Sequence, residues 1–134
     1  MPEPTLTRSI SGRADARWLA AVDEVLAEAW RALPAVGEDD QMLFELAVHE
    51  IAGNMVEHAA YATCDLELRV QPSQLSVRMQ DDGPATRIDL STTAMPDLMA
   101  ESGRGLAIAA QVLDVFEHSR TDGTNHWLLV RAVR

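Results

Sequence analysis

Three polar residues recur at intervals of four in the segment ELAVHEIAGNMVEHA: Glu50, Asn54 and His58. Residues with this spacing lie on one face of an α-helix, so a carboxylate, a carboxamide and an imidazole would form one polar stripe. The Asn54 oxygen suits Mg²⁺, which takes few protein ligands and the rest from phosphate and water. Glu50 could accept a proton from an attacking hydroxyl or water. His58 could contact phosphate or only hold the helix end, and taken alone the stripe is more often an ordinary solvated face.

A second candidate is the segment Ser102-Gly103-Arg104-Gly105-Leu106, which opens a helical pattern. Glycines permit a close approach of the backbone, and a helix N-terminus presents free amide groups to an anion. Arg104 could add a bidentate contact to a phosphate. The simpler alternative is a glycine turn into a helix that Ser102 caps.

A third candidate is Asp81-Asp82-Gly83, at the end of an alternating segment. A buried carboxylate at that position could accept the exocyclic amine of adenine, whereas an ordinary Asp-Gly turn is the simpler explanation. Each of the three segments is weak evidence by itself. The polar stripe suits a metal and the glycines suit a phosphate, so their combination indicates a nucleotide site.

Eight elements are predicted to position these residues. The helices follow from apolar residues at helical spacing, and the strands follow from alternation. The predicted order is strand, helix, helix, strand, strand, helix, strand, strand. In that order the predicted ranges are Thr5–Ile10, Ala14–Leu33, Glu38 to about Ala60, Asp65–Val70, Leu75–Gln80, Gly105–Phe116, Phe116–Arg120 and Thr124–Val133. The expected fold is α+β: one domain over residues 1–134, a two-layer sandwich with three helices on one face of a mixed, mostly antiparallel sheet.

The order of these motifs resembles the GHKL ATPase superfamily, whose members share the Bergerat fold. The matching residues are E-x-x-x-N-x-x-x-H-A from Glu50, D-x-G from Asp81, G-x-G-L from Gly103, and Gly123-Thr124 before the last strand. The short length and the style of the motifs are most similar to the anti-sigma-factor branch, the serine-protein kinases similar to RsbW and SpoIIAB. The resemblance covers nearly the whole chain.

The resemblance implies a role for each matching residue. Asn54 would coordinate the Mg²⁺ that bridges the ATP phosphates, and Glu50 would be the general base toward an acceptor serine. Asp81 would bind the adenine amino group, with Gly83 close to the ring and Thr124 near the aspartate. The residues expected around the phosphates, or supporting them, are His58, Gly103, Arg104, Gly105 and Leu106.

The segment from Ala85 to Glu101 has no firm period, and the resemblance implies that it is the ATP lid. Ala85 stands where the family has a second glycine, and alanine resists positive φ. This departure and the short lid favour an alternative, a weakly active or inactive GHKL-fold binding module that regulates by stoichiometric capture of a protein. A detached histidine-kinase catalytic domain is a second alternative, which the lack of a dimerisation helix pair disfavours.

The function that the resemblance implies is that of an ATP-dependent serine-protein kinase that is also an anti-sigma factor in a partner switch. Such a protein sequesters a sigma factor or another effector, and phosphorylates a STAS-domain anti-anti-sigma factor. The expected cofactors are ATP and Mg²⁺. A homodimer is possible, with Leu6 or Ile10 of the first strand at the contact.

The composition limits the other possibilities. The 134 residues carry a net charge of −10, and all eleven basic residues are arginine. An acidic surface repels phosphate backbones, so nucleic-acid binding is not expected, and the lack of lysine excludes a P-loop lysine and a Schiff base. The single cysteine permits no internal disulfide. No apolar run reaches the length of a membrane span, and a cytoplasmic protein is expected.

Overall fold

The computed structural model describes residues 3–85 and 101–133, except for the side chains of residues 101–105. The described helices are α1 (Ala16–Ala32), α2 (Glu38–His58) and α3 (Glu101–Val112). The described strands are β1 (Leu6–Arg13), β2 (Thr63–Gln71), β3 (Gln74–Asp81), β4 (Val115–Thr121) and β5 (Thr124–Ala132). Their order along the chain agrees with the predicted order.

The strands form a sheet in the order β1-β2-β3-β5-β4, and neighbouring strands are antiparallel throughout the described part of the chain. The predicted α+β sandwich is therefore confirmed, but the expected mixed sheet is not found: each described pairing is antiparallel. The physical reason is that short turns join β2 to β3 and β4 to β5, which makes each of these pairs an antiparallel hairpin. Helices α1 and α2 lie between β1 and β2 in the chain and return it so that β2 runs antiparallel to β1.

One face of the sheet packs against the helices because most side chains on that face are apolar. In β2 the inward side chains are Cys64, Leu66, Leu68 and Val70, and all four are buried. Burial of each such aliphatic side chain contributes about 1.5–3 kcal/mol. The opposite face of β2 carries polar and charged residues, as an antiparallel sheet with one solvated face requires.

Helix α2 is the element that carries the polar stripe. Its first turn has Glu38, Asp39 and Asp40, whose carboxylates are favoured by the positive end of the helix dipole. Its predicted apolar face is buried in the structure, and comprises Phe44, Val48, Ile51, Met55 and Ala59. Burial of this face fixes the rotation of α2 about its own axis, and therefore fixes the direction in which the polar stripe points.

A buried ion pair connects α2, α3 and β5. Arg131 of β5 donates from Nε to Asp40 Oδ1 at 2.9 Å, and from Nη1 to the Val112 carbonyl at 2.6 Å. The first turn of α2 therefore lies beside the last turn of α3. Because the two helices also pack against each other, the N-terminus of α3 lies toward the C-terminal half of α2.

Most predicted boundaries agree with the structure within two residues, and the boundaries of two elements differ by more. Strand β1 continues to Arg13, because Ser11 and Gly12 pair with β2 instead of ending the strand. Helix α3 begins at Glu101 and ends at Val112, so the glycine segment lies inside its first turns and not before them. The predicted lid falls largely on residues 86–100, which lie outside the described residues.

Candidate functional site

The polar stripe of α2 lies at the edge of the buried face of the helix. Glu50 and Asn54 are half-buried, and His58, the last residue of the helix, is exposed. The adjacent residues Ile51 and Met55 belong to the core. A carboxylate and a carboxamide at such a boundary are partly sheltered from water while a ligand can still reach them, as a phosphate and metal site requires.

Asp81 ends β3 and is a buried carboxylate, with 3% of its surface exposed. Its Oδ1 accepts hydrogen bonds from the Gly83 amide at 2.9 Å and from Asn125 Nδ2 at 3.0 Å. Within residues 3–85 and 101–133 both donors reach the same oxygen. Among the described residues no donor contacts the second oxygen, Oδ2, which makes this atom the candidate acceptor for an incoming amino group.

Gly83 brings the aspartate and the end of α2 together. A Cβ at this position would lie 2.5 Å from the Cβ of Ala59 and 3.0 Å from Asp81 Oδ1. Only a glycine permits this approach without displacing the backbone at Ala59, which directly follows His58. Two of the three sequence motifs therefore meet in space, at the C-terminal end of α2.

Two residues that the sequence analysis did not single out complete this corner. Asn125 is fully buried, and its Nδ2 also donates to the Pro84 carbonyl at 2.9 Å. Arg120 Nη1 donates to Asn125 Oδ1 and to the Gly83 carbonyl, both at 3.0 Å. Side chains from β3, β4 and β5 thus hold the turn after Asp81 in one conformation.

Thr124 was the predicted neighbour of Asp81, but in the structure the next residue, Asn125, makes the contact with Asp81. Thr124 pairs with Thr121 at the end of the β4–β5 hairpin, and strand alternation directs it to the opposite face from Asn125. The alternation of Asn125 with Trp127 and Leu129 was the signal in the sequence that could have identified the buried asparagine.

We define the corner cluster as Asp81, Gly83, Arg120 and Asn125. Cys64 lies beside it, because it is the β2 partner of Asp81 in the sheet register. Burial, followed by the charge of neighbouring carboxylates such as Asp65, raises the pKa of the Cys64 thiol to about 12. The thiol is therefore protonated and unreactive at neutral pH, and serves as a small apolar side chain.

His118 of β4 lies at the other side of the corner cluster. Its ring packs on Trp127 with a distance of 4.3 Å between ring centroids. Burial lowers the pKa of His118, although a hydrogen bond with Asn125 acts in the opposite direction. The imidazole is therefore mainly neutral at pH 7, and its Nε2 has no hydrogen-bond partner among the described residues.

The glycine segment lies at the start of α3. The backbone of Gly103, Arg104 and Gly105 is helical, and Leu106 is half-buried against the core. The first four amides of a helix have no acceptor within the helix, so this terminus can bind an anion. Since it lies toward the C-terminal half of α2, the third motif lies on the same side of the molecule as Asn54.

The described residues contain no group of three or more histidine, cysteine, aspartate or glutamate side chains that could hold a metal. A cation at Asn54 would therefore take most of its ligands from phosphate oxygens and water. This donor set suits Mg²⁺, which retains several waters and is commonly bound through a substrate phosphate.

The open face of the sheet has a groove of about 390 Å³ that contains none of these residues. Asp65 lies in it and accepts hydrogen bonds from Ser11 and Gln80, which lower the pKa of its carboxyl. Because the one carboxylate with a shifted pKa in this groove is explained by these two hydrogen bonds, the corner cluster and the α2 stripe remain the stronger candidate site.

A family model described as a histidine kinase-like ATPase domain matches residues 12–131 of the chain. No curated protein matches it in sequence. In the described residues, no helix has the length and apolar character needed to cross a membrane.

Three solved structures are similar to the chain in fold. The RsbU and RsbW domains of a Mycobacterium tuberculosis protein match with a TM-score of 0.67 and 21% identity, covering 99% of this chain and 34% of that one. The chain thus spans about a third of that protein. The SiaB–SiaC complex of Pseudomonas aeruginosa matches with a TM-score of 0.63 and 12% identity, covering 94% and 89%. The Acinetobacter baumannii histidine kinase AdeS matches at 0.51 and 11%, covering 95% and 68%.

Proposed function

Because this chain belongs to the histidine kinase-like ATPase domain family, we propose that it is an ATP-dependent serine-protein kinase that also acts as an anti-sigma factor. The observation that carries the proposal is the corner cluster. It holds a buried carboxylate directly beside the helix that bears Glu50 and Asn54. A single domain over residues 1–134 would contain all the groups that the reaction needs.

The corner cluster would bind the adenine. Asp81 Oδ2 would accept the exocyclic amino group, while Gly83 N and Asn125 Nδ2 hold Oδ1 and keep the carboxylate in a fixed rotamer. Gly83 would leave room for the edge of the ring. A buried acceptor of this kind discriminates strongly between bases, since a base without an amino group at this position leaves the carboxylate unpaired.

The phosphates would lie between the N-terminus of α3 and the polar stripe of α2. The amides of Gly103 and Arg104, which are among the first four of α3, would bind their oxygens. Gly105 would allow the phosphates to approach closely, with support from Leu106 and with His58 at the rim. Asn54 would hold Mg²⁺, which supplies charge neutralisation at the transferring phosphoryl group. Phosphoryl transfer depends mainly on positioning and charge, so a chain without lysine can perform it with amides and arginine.

Glu50 would be the general base. It lies one turn before Asn54 and is half-buried, so an acceptor hydroxyl could reach it from solvent. Its carboxylate would accept the serine proton while the bond from serine Oγ to the γ-phosphorus forms and the bond to ADP breaks. The products would be a phosphoserine protein and ADP.

The partners would be proteins. A structure of the same fold is that of the SiaB–SiaC complex, and another contains an RsbW domain, which supports a partner-switching role. The proposed location is the cytoplasm. The chain would sequester a sigma factor or another effector, and phosphorylate a STAS-domain antagonist. A homodimer through β1 remains part of the proposal, while nucleic acid and membranes are not expected partners.

Two measurements test the proposal. Titration calorimetry of the purified chain with Mg-ATP should give saturable binding. GTP should bind far more weakly, because guanine has a carbonyl oxygen where adenine has the amino group that Asp81 would accept. Incubation with γ-labelled ATP and the STAS-domain proteins of the same organism should label one of them on serine. Absence of heat at millimolar Mg-ATP would contradict the kinase.

A second candidate is a binding module that captures its partner without using ATP. The observation in its favour is Ala85, which replaces the expected glycine after Pro84. The same calorimetry separates the two candidates, because a pure binding module gives no heat with Mg-ATP. An acid-labile phosphoprotein product would instead indicate transfer to histidine.

A further inference from the structure

The outermost face of α2 carries apolar residues that the described fold does not use. Met42 is 60% exposed and Leu46 is 37% exposed. At 100° per residue, Met42, Leu46 and Gly53 lie within about 40° of one another around the helix. We call these three residues the α2 ridge, which extends over about 16 Å at 1.5 Å per residue.

The neighbouring helices leave the α2 ridge open. On one side α1 is joined to α2 by contacts of His49 with Asp23 and of Trp30 with Glu45. On the other side α3 packs against α2. The ridge lies between these contacts, and Glu50 is its direct neighbour, one turn after Leu46.

The second observation about the α2 ridge concerns Gly53. It lies in the interior of a helix, where glycine is less favourable than alanine by about 0.5–1 kcal/mol. A Cβ at Gly53 would meet no atom within 4 Å in the described part of the chain. The described part of the chain therefore gives no steric reason for a glycine at this position, and a close approach by another molecule would give one.

We propose that the α2 ridge is the docking surface for the protein that carries the acceptor serine. This inference rests on the proposed kinase function. Glu50 lies one turn after Leu46 and about 40° from it around the helix, so a protein that places a serine hydroxyl at Glu50 also reaches Leu46 and Gly53. The partner backbone approaches Gly53, and apolar side chains of the partner cover Met42 and Leu46.

The charges around the ridge specify the partner further. Asp39 lies at one end of the ridge and Glu57 near the other, and both are exposed. The chain as a whole carries a net charge of −10. The complementary surface has an apolar centre, with arginine or lysine residues at its rim and the serine beside the apolar centre.

The first test replaces the apolar part of the ridge. The probe is the STAS-domain protein that the wild-type chain phosphorylates, and the variant is Met42→Glu with Leu46→Glu. We expect the KM for that protein to rise at least tenfold, with kcat and the Kd for Mg-ATP unchanged. The control is Ala20→Glu, which adds a negative charge to an exposed position of α1 and should leave the KM unchanged.

The second test is Gly53→Ala, a substitution that should stabilise the chain and impair docking together. We expect Tm to rise by about 3–5 °C. The KM for the STAS-domain protein should rise severalfold, because the added methyl group prevents the close approach. A purely structural role for Gly53 cannot produce both changes in these directions.

The outcomes separate this inference from the proposed function. Unchanged KM values in both ridge variants, with an active wild-type chain, would overturn the docking surface and leave the kinase intact. A raised Kd for Mg-ATP in the ridge variants would also overturn it, since the ridge would then belong to the nucleotide site. If the wild-type chain labels no STAS-domain protein, the kinase function fails, and the docking surface fails with it.

Discussion

Two glycines of this molecule occupy opposite environments. A Cβ on Gly83 would lie 2.5 Å from Ala59, whereas a Cβ on Gly53 would lie in open space within the described residues. The chain's own packing requires the first glycine. The second glycine lowers helix stability, and no packing contact in the described part of the chain requires it. A glycine that the fold does not require directs attention to what binds outside it.

The regions around these glycines differ in the same way. In the corner cluster the polar groups that face the turn are joined by hydrogen bonds, and substitutions there should change stability and nucleotide affinity together. Along the exposed side of α2 the side chains have few contacts, so substitutions should change catalysis or docking without unfolding the chain. Each of the following predictions tests this separation.

The largest effect is expected for Glu50→Ala. Loss of a general base lowers the transfer rate by about 10²–10⁴-fold. Because Glu50 is half-buried on the open side, Tm and the Kd for Mg-ATP should remain near the wild-type values. Labelled-ATP assays, calorimetry and thermal unfolding measure the three quantities, with Glu24→Ala on α1 as the control. An unchanged transfer rate would exclude Glu50 as the base.

The next effect is expected for Gly83→Ala, the counterpart of Gly53→Ala. The added methyl group overlaps Ala59 and crowds Asp81 Oδ1, and overpacking of this kind costs about 1–3 kcal/mol. Urea unfolding should show the loss, and calorimetry should show weaker Mg-ATP binding. If Gly83→Ala and Gly53→Ala changed stability in the same direction, the contrast between the two glycines would be lost.

Asn125→Ala should have a similar or smaller effect. It removes the donor to Asp81 and to the Pro84 carbonyl, and leaving buried polar groups unpaired costs about 1–3 kcal/mol. We expect a lower free energy of unfolding and a higher Kd for Mg-ATP. His126→Ala is the matched control, because it is the next residue but lies on the open face of the sheet. Equal effects of the two substitutions would contradict the assigned role of Asn125.

The smallest effect concerns pH. Burial lowers the pKa of His118 below its usual value of 6.5, so the unfolded chain binds the proton more tightly than the folded chain. Stability should therefore fall as pH drops below about 6.5, until the folded His118 also titrates. His118→Gln should reduce this dependence between pH 7.5 and 5.5 in urea unfolding. An identical pH dependence in the two proteins would contradict the burial of a neutral imidazole.

The elements with a strong local signal were predictable from the sequence. The buried face of α2 follows from the spacing of Phe44, Val48 and Ile51, and the strands β2 and β3 follow from their alternation. The family followed from the order of the motifs, which the match over residues 12–131 confirms. In each of these cases the information lies within one short segment of the sequence, or in the order of several segments.

The rest depended on contacts between distant segments. Asn125 reaches Asp81 across 44 residues of sequence, and only the register of β3 against β5 brings them together. Arg131 and Asp40 are 91 residues apart and pair through a buried contact that no local pattern indicates. Helix α3 begins earlier than predicted, because the glycines of its first turns are tolerated there, although they are poor helix formers.

Cys64 gives the molecule an internal reporter. It is the only thiol of the chain, it is fully buried, and it lies directly opposite Asp81 in the sheet. With a pKa of about 12, the closed state offers almost no thiolate, so an alkylating reagent can react only when this end of the sheet opens. The rate of thiol labelling therefore measures the opening of the corner cluster, and a ligand that binds Asp81 should slow that rate in proportion to its occupancy.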